Sequence, residues 1–96
     1  NEDFAALSAQ LVEYLAENRV KLVGIDTPSI DLCHDKNLES HQALARHDMA
    51  VLEGLALADV PEGKYFLMAL PLRVVAGDAS PVRAVLLPPS FDPTTV

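Results

Sequence analysis

The chain has 96 residues, half of them hydrophobic, with no Trp and a formal net charge of −7. Such acidity argues against nucleic acid and against an anionic membrane surface, since phosphate binding needs clustered Lys and Arg. The seven basic residues are scattered instead (Arg19, Lys21, Lys36, Arg46, Lys64, Arg73 and Arg83).

The first predicted element is a helix from Asp3 to about Asn18. Phe4, Leu7, Leu11, Tyr14 and Leu15 fall on one stripe at helical spacing, with Glu13 and Glu17 outside it. Asp3 is the candidate N-cap and Asn18 the candidate stop. Val20 to Asp26 is a continuous apolar run rich in β-branched residues, which suits a strand buried on both faces. It ends at Asp26-Thr27-Pro28-Ser29, where Pro28 makes a turn. Asp26 and Ser29 there suit local turn chemistry, their side chains bonding nearby backbone N–H groups.

Ile30 to Asn37 reads as a loop, which contains Cys33 and His34. A second helix runs from about Leu38 to His47, capped by Asn37 or Ser40, with Leu44 and Ala45 as the core-facing residues. Arg46 and His47 lie in its last turn, where positive charge complements the helix dipole. Met49 to Leu52 is the next strand, ending at Glu53-Gly54, and Leu55 to Gly63 is a connector. Tyr65 to Val75 is a longer strand that Pro71 must bulge or place at an edge. Gly77 and Asp78 turn the chain into a returning strand, Val82 to Leu87. The tail from Pro88 to Val96 holds three prolines, reads as irregular, and is a candidate for crossing onto a neighbouring subunit. Helix, strand, helix and three strands make an α/β fold, with a mixed sheet and packing helices.

The chemistry-bearing residues are few. Cys33 is the only cysteine, so an internal disulfide and a multi-thiolate zinc site are both excluded. A lone thiol suits a reducing, cytoplasmic setting. With His34 beside it in a polar loop, Cys33 lacks the marks of an activated nucleophile. No signal peptide or membrane span is visible, the longest apolar run being far short of the ~20 residues a spanning helix needs. The start at Asn1 rather than Met reads as a processed or partial product. His41, early in the second helix, and Glu53, after the following strand, combine an imidazole nitrogen with a carboxylate. Those are ordinary ligands for zinc or manganese.

Four segments in order carry a resemblance: Val23-Gly24-Ile25-Asp26-Thr27-Pro28-Ser29, the run from Ser40 through Leu55, Ala69-Leu70-Pro71-Leu72-Arg73, and Asp78-Ala79-Ser80-Pro81-Val82-Arg83-Ala84-Val85-Leu86. From about Phe4 to Leu87 the chain resembles the bacterial kynurenine formamidases, arylformamidases of the metal-dependent cyclase-like hydrolase family. The resemblance implies a swivelling β/β/α cyclase-like fold, of which residues 1–96 form the C-terminal part of a single domain. It implies His41 and Glu53 as metal ligands, zinc (or manganese) as the cofactor, and a homodimer. The family's amino-terminal His-x-x-x-His-x-Asp ligand run and its proton-transferring histidine have no counterpart here, so no catalytic residue is assigned. The implied reaction is metal-dependent hydrolysis of N-formyl-L-kynurenine to L-kynurenine and formate in tryptophan degradation. It belongs to the parent enzyme, this segment alone being expected inactive. A cyclase-like hydrolase of another amide, or a non-catalytic interaction fragment, are the alternative readings.

Overall fold

The structure, a computed structural model, describes residues 4–91 and residue 94. In chain order the elements are α1 (Ala9–Glu17), β1 (Leu22–Gly24), α2 (Glu39–Arg46), β2 (Ala50–Leu52), β3 (Phe66–Pro71) and β4 (Val82–Leu87). This is the expected order. The strands form two two-stranded sheets, β1 with β2 in parallel and β3 with β4 antiparallel. The chain divides into two compact units, Asn1–Asp59 and Val60–Val96.

The first unit consists of two helix–strand repeats. Helix α1 starts later than its apolar stripe predicts, with Ser8 as N-cap accepting the Leu11 N–H at 3.1 Å. Asp3 lies outside the described residues. The helix ends at Asn18 as expected, and Arg19 follows at φ 65°. The Arg19 N–H donates to the Ala16 carbonyl and the Val20 N–H to that of Leu15. Helix α2 ends in the same way: Asp48 takes φ 54° and donates to Ala45, while the Met49 N–H reaches the Leu44 carbonyl. These are Schellman closures, which satisfy orphan carbonyls and let the chain leave the helix sharply. Each one delivers the chain directly into a strand.

The two strands emerge side by side, with Leu22 opposite Ala50, Val23 opposite Val51 and Gly24 opposite Leu52. The core of the unit is Val12, Ile30, Ala43, Leu44 and Met49, flanked by Leu7, Leu15, Val20, Val23, Ile25 and Val51. Three expectations change here. Val12, off the predicted stripe, is the fully buried residue of α1, whereas Leu11 and Tyr14 are exposed. On α2 the core residues are Ala43 and Leu44, and Ala45 faces solvent. Strand β1 is not buried on both faces: Leu22 is exposed and Val23 half-buried, because one neighbouring strand and two short helices cannot enclose it.

In the second unit Phe66 to Pro71 pairs with Val82 to Leu87 in unbroken register. Pro71 falls at the last pair, opposite Val82, where its missing N–H costs the ladder least. The strand predicted to continue to Val75 ends there. Leu72 N–H instead donates to the Ser80 hydroxyl, and Gly77 N–H to the Val74 carbonyl. Phe66 packs edge-on against Phe91, ring centroids 5.3 Å apart.

Candidate metal centre

The parallel pairing of β1 and β2 continues past both strands. Ile25 N–H donates to Leu52, Leu55 N–H to Ile25, and Gly54 N–H to Thr27 at 2.7 Å. Glu53 is thereby held beside the loop that leaves β1. Gly54 takes φ +68°, a conformation that favours glycine and lets the chain turn away after Glu53. The same loop leads to α2, whose first turn carries His41. The carboxyl end of a strand thus meets the start of a helix, the region where open α/β folds place their sites.

His41 and Glu53 come together there, with His41 Nε2 and Glu53 Oε2 3.0 Å apart. Both side chains are partly exposed, at 33% and 27%. The same Glu53 oxygen accepts the Ile30 backbone N–H at 2.8 Å. On the other edge of the imidazole, Nδ1 lies 2.7 Å from Asp31 Oδ2. Asp31 is buried and also receives the backbone N–H groups of Ser40 (2.8 Å) and His41 (2.9 Å). Burial pushes the Asp31 carboxyl pKa up, but the two backbone N–H groups and the His41 ring outweigh it and hold the group below the usual carboxylate range.

Sequence reasoning missed Asp31. It also misplaced the cap of α2. Neither Asn37 nor Ser40 caps that helix; Leu38 stands at the cap position at φ 51° with no side-chain hydrogen bond of its own. Two upstream carboxylates take the open N–H groups instead. Asp31 serves Ser40 and His41, and Asp35 serves Asn37, Leu38 and Glu39. The Ser40 hydroxyl turns away to donate to the Leu7 carbonyl at 2.6 Å, while Leu7 N–H donates to Ile30. The segment before α1, the loop and α2 are locked together by these bonds.

The remaining candidates behave as bystanders. Asp26 is exposed. Ser29 and Thr27 do turn chemistry, the Ser29 hydroxyl accepting the Asp31 N–H and the Thr27 hydroxyl donating to the Ser29 carbonyl. Cys33 is exposed and unpaired, and His34 is exposed in the same loop. His47 ends α2 and, with Arg46, binds Glu13 of α1. These two contacts, Arg46 first, lower the Glu13 carboxyl pKa.

The pair fits a divalent cation in chemistry, an imidazole nitrogen beside a carboxylate oxygen. Two ligands held tetrahedrally at about 2.0–2.1 Å from one zinc ion stand roughly 3.3–3.4 Å apart, so the pair would open by a few tenths of an ångström to admit one. A carboxylate on each edge of one imidazole also asks for positive charge between the ring and Glu53, which a proton on Nε2 or a cation supplies. Among the described residues no group of three or more His, Cys, Asp or Glu is arranged to hold a metal. The fit is to part of a ligand set.

No family model matches the chain. Individual proteins do. It is 60% identical over 85 residues to the kynurenine formamidase of Bordetella pertussis, covering 88% of this chain and 41% of that protein. The chain is a homologue of the kynurenine formamidases. The Erythrobacter litoralis kynurenine formamidase is 51% identical over 84 residues, covering 88% of this chain and 39% of the relative. The chain therefore spans about two fifths of the length of the curated relatives it matches, at their carboxyl-terminal end. Among solved structures, a predicted metal-dependent hydrolase from Bacillus stearothermophilus superposes with a TM-score of 0.80 at 36% identity, over 90% of this chain and 42% of that one. A potential metal-dependent hydrolase with cyclase activity gives 0.75, also at 36% identity, over 86% of this chain and 41% of that one. The α/β fold is that of the cyclase-like metal-dependent hydrolases.

Proposed function

We propose that residues 1–96 are the C-terminal part of a single-domain, metal-dependent kynurenine formamidase that hydrolyses N-formyl-L-kynurenine to L-kynurenine and formate in tryptophan degradation. The observation that supports this most is the 3.0 Å approach of His41 and Glu53 on a chain homologous to kynurenine formamidases. In this reading His41 Nε2 and Glu53 bind zinc, with manganese as the other candidate, and the remaining ligands come from outside these residues. A catalytic zinc ordinarily takes three protein ligands and an open position. His41 and Glu53 alone therefore bind metal weakly, and the segment alone is inactive.

When bound, the ion lowers the pKa of a water toward ~7 and polarises the formyl carbonyl. The chain's own contribution is to hold two ligands in register. Glu53 is fixed by its place after β2 and by the Ile30 N–H, and His41 by the first turn of α2. Proton transfer to the leaving amine falls to a histidine outside this chain.

The enzyme acts as a homodimer in the cytoplasm. No helix among the described residues is long and apolar enough to cross a membrane. Leu70, Leu72 and Val75 are exposed in the second unit, at 73%, 63% and 88%, which supports their burial against further protein. The experiment is to assay the full-length protein that contains this chain with N-formyl-L-kynurenine, before and after chelation and zinc restoration. Chelator-sensitive hydrolysis, lost in His41→Ala, is the expected result; hydrolysis that ignores chelator contradicts the proposal.

A further inference from the structure

One dipeptide touches both proposed ligands. The Ile30 N–H donates to Glu53 Oε2, and the carboxylate of Asp31, the next residue, meets His41 Nδ1. Ile30 is fully buried and Asp31 is 3% exposed, so this support belongs to the core rather than to a mobile surface. Asp31 is held from three sides. Oδ1 accepts Ser40 N–H, Oδ2 accepts His41 N–H, and its own N–H donates to the Ser29 hydroxyl at 3.1 Å.

An ionised carboxylate can only accept hydrogen bonds. The proton in the 2.7 Å contact therefore lies on His41 Nδ1. Nε2, on the opposite edge and 3.0 Å from Glu53 Oε2, is then the nitrogen left to a cation, which would take the place of a proton held there against the Glu53 carboxylate. Because Oδ2 also binds the His41 backbone N–H, the ring is referenced to the helix that carries it.

We propose that Asp31 is the positioning residue of this site: it fixes His41 with Nδ1 protonated and aims Nε2 at Glu53, while closing the open end of α2. The metal half of the inference rests on the formamidase reading above; the ring half does not. Outer-shell partners of this kind set ring orientation and ligand basicity.

Asp31→Asn is the discriminating variant, because it keeps the shape and changes the donor pattern. The new amide nitrogen would oppose a backbone N–H at either oxygen position. At the Oδ2 position it donates to Nδ1 of His41, so the ring carries its proton on Nε2, where a metal must bind. At the Oδ1 position the amide oxygen keeps the Nδ1 proton but replaces a charged acceptor with a neutral one.

The test uses the full-length protein that contains this chain, labelled with ¹⁵N-histidine, and Zn²⁺ as the probe. In the metal-free wild type, His41 Nδ1 carries a proton. In Asp31→Asn that proton loses its charged acceptor or moves to Nε2, and in either case zinc affinity falls on the order of 10–100-fold. A purely structural role would lower stability and leave zinc affinity unchanged. An Asp31→Asn protein with Nδ1 still protonated and zinc affinity unchanged overturns the proposal. So does a bare Nδ1 in the wild type, which needs no variant to fold. A His41→Ala protein that keeps its full zinc content contradicts the ligand reading instead, so the two failures are told apart.

Discussion

His41 Nε2 and Glu53 Oε2, twelve residues apart in the chain, stand 3.0 Å from each other. They do so because α2 reverses through a Schellman closure at Asp48 into β2, whose end is pinned to the loop after β1. Substituting Glu53 by Gln keeps an acceptor for the Ile30 N–H and removes the charge that a cation needs. In the full-length protein, Glu53→Gln is expected to melt within a few degrees of wild type and to lose bound zinc. Metal analysis beside a thermal melt checks both halves of that statement.

Asp31 also contributes to stability. Truncating it to Ala leaves the Ser40 and His41 N–H groups without their buried acceptor, which costs roughly 1–3 kcal/mol. Asp35→Ala, at an exposed cap, is expected to cost less. Urea unfolding of the two variants ranks them, and equal midpoints would contradict the role given to Asp31.

Ile30 links the core to the site, its side chain fully buried and its N–H on Glu53. Ile30→Ala should destabilise by about 2–5 kcal/mol and Ile30→Val by about 0.5–1.5 kcal/mol. The Val variant should keep its zinc, since the backbone donor survives. Denaturant midpoints and metal content of the same samples test this.

Helices α1 and α2 are clasped by Glu13 with Arg46 and His47. The Glu13 pKa lies below its ordinary 4.5 in the folded state, so the clasp stabilises fully above that pH and fades as pH falls through the lowered value. The melting-temperature gap between wild type and Glu13→Gln should therefore be wider at pH 5.5 than at pH 3. Parallel curves across that range would show that the clasp contributes nothing.

Much of this fold was legible in the sequence because its signals are local. Val82 to Leu87 is an apolar-rich run between a turn and a proline, and it forms a strand with those bounds. The stop at Asn18 and the basic last turn of α2 are equally local. What escaped was long-range. The cap of α2 comes from Asp31, nine residues before Ser40, across a loop whose path no periodicity reveals. Leu38, an apolar residue at φ 51°, gives no capping signal at all. The burial of Val12 in place of Tyr14 depends on where α2 packs, which the α1 stripe cannot say. His41 and Glu53 were singled out by ligand chemistry and resemblance, whereas the residue that orients His41 looked like an ordinary loop aspartate. A polar residue just after a strand-end turn and shortly before a helix was the available clue.

The most direct test of the central claim is the rate of N-formyl-L-kynurenine hydrolysis by the full-length protein, with and without zinc, for wild type and His41→Ala. The account predicts a wild-type rate that chelation abolishes and zinc restores, and a His41→Ala protein inert under both conditions. Wild-type hydrolysis unaffected by metal removal, or a His41→Ala protein working at the wild-type rate, would contradict it.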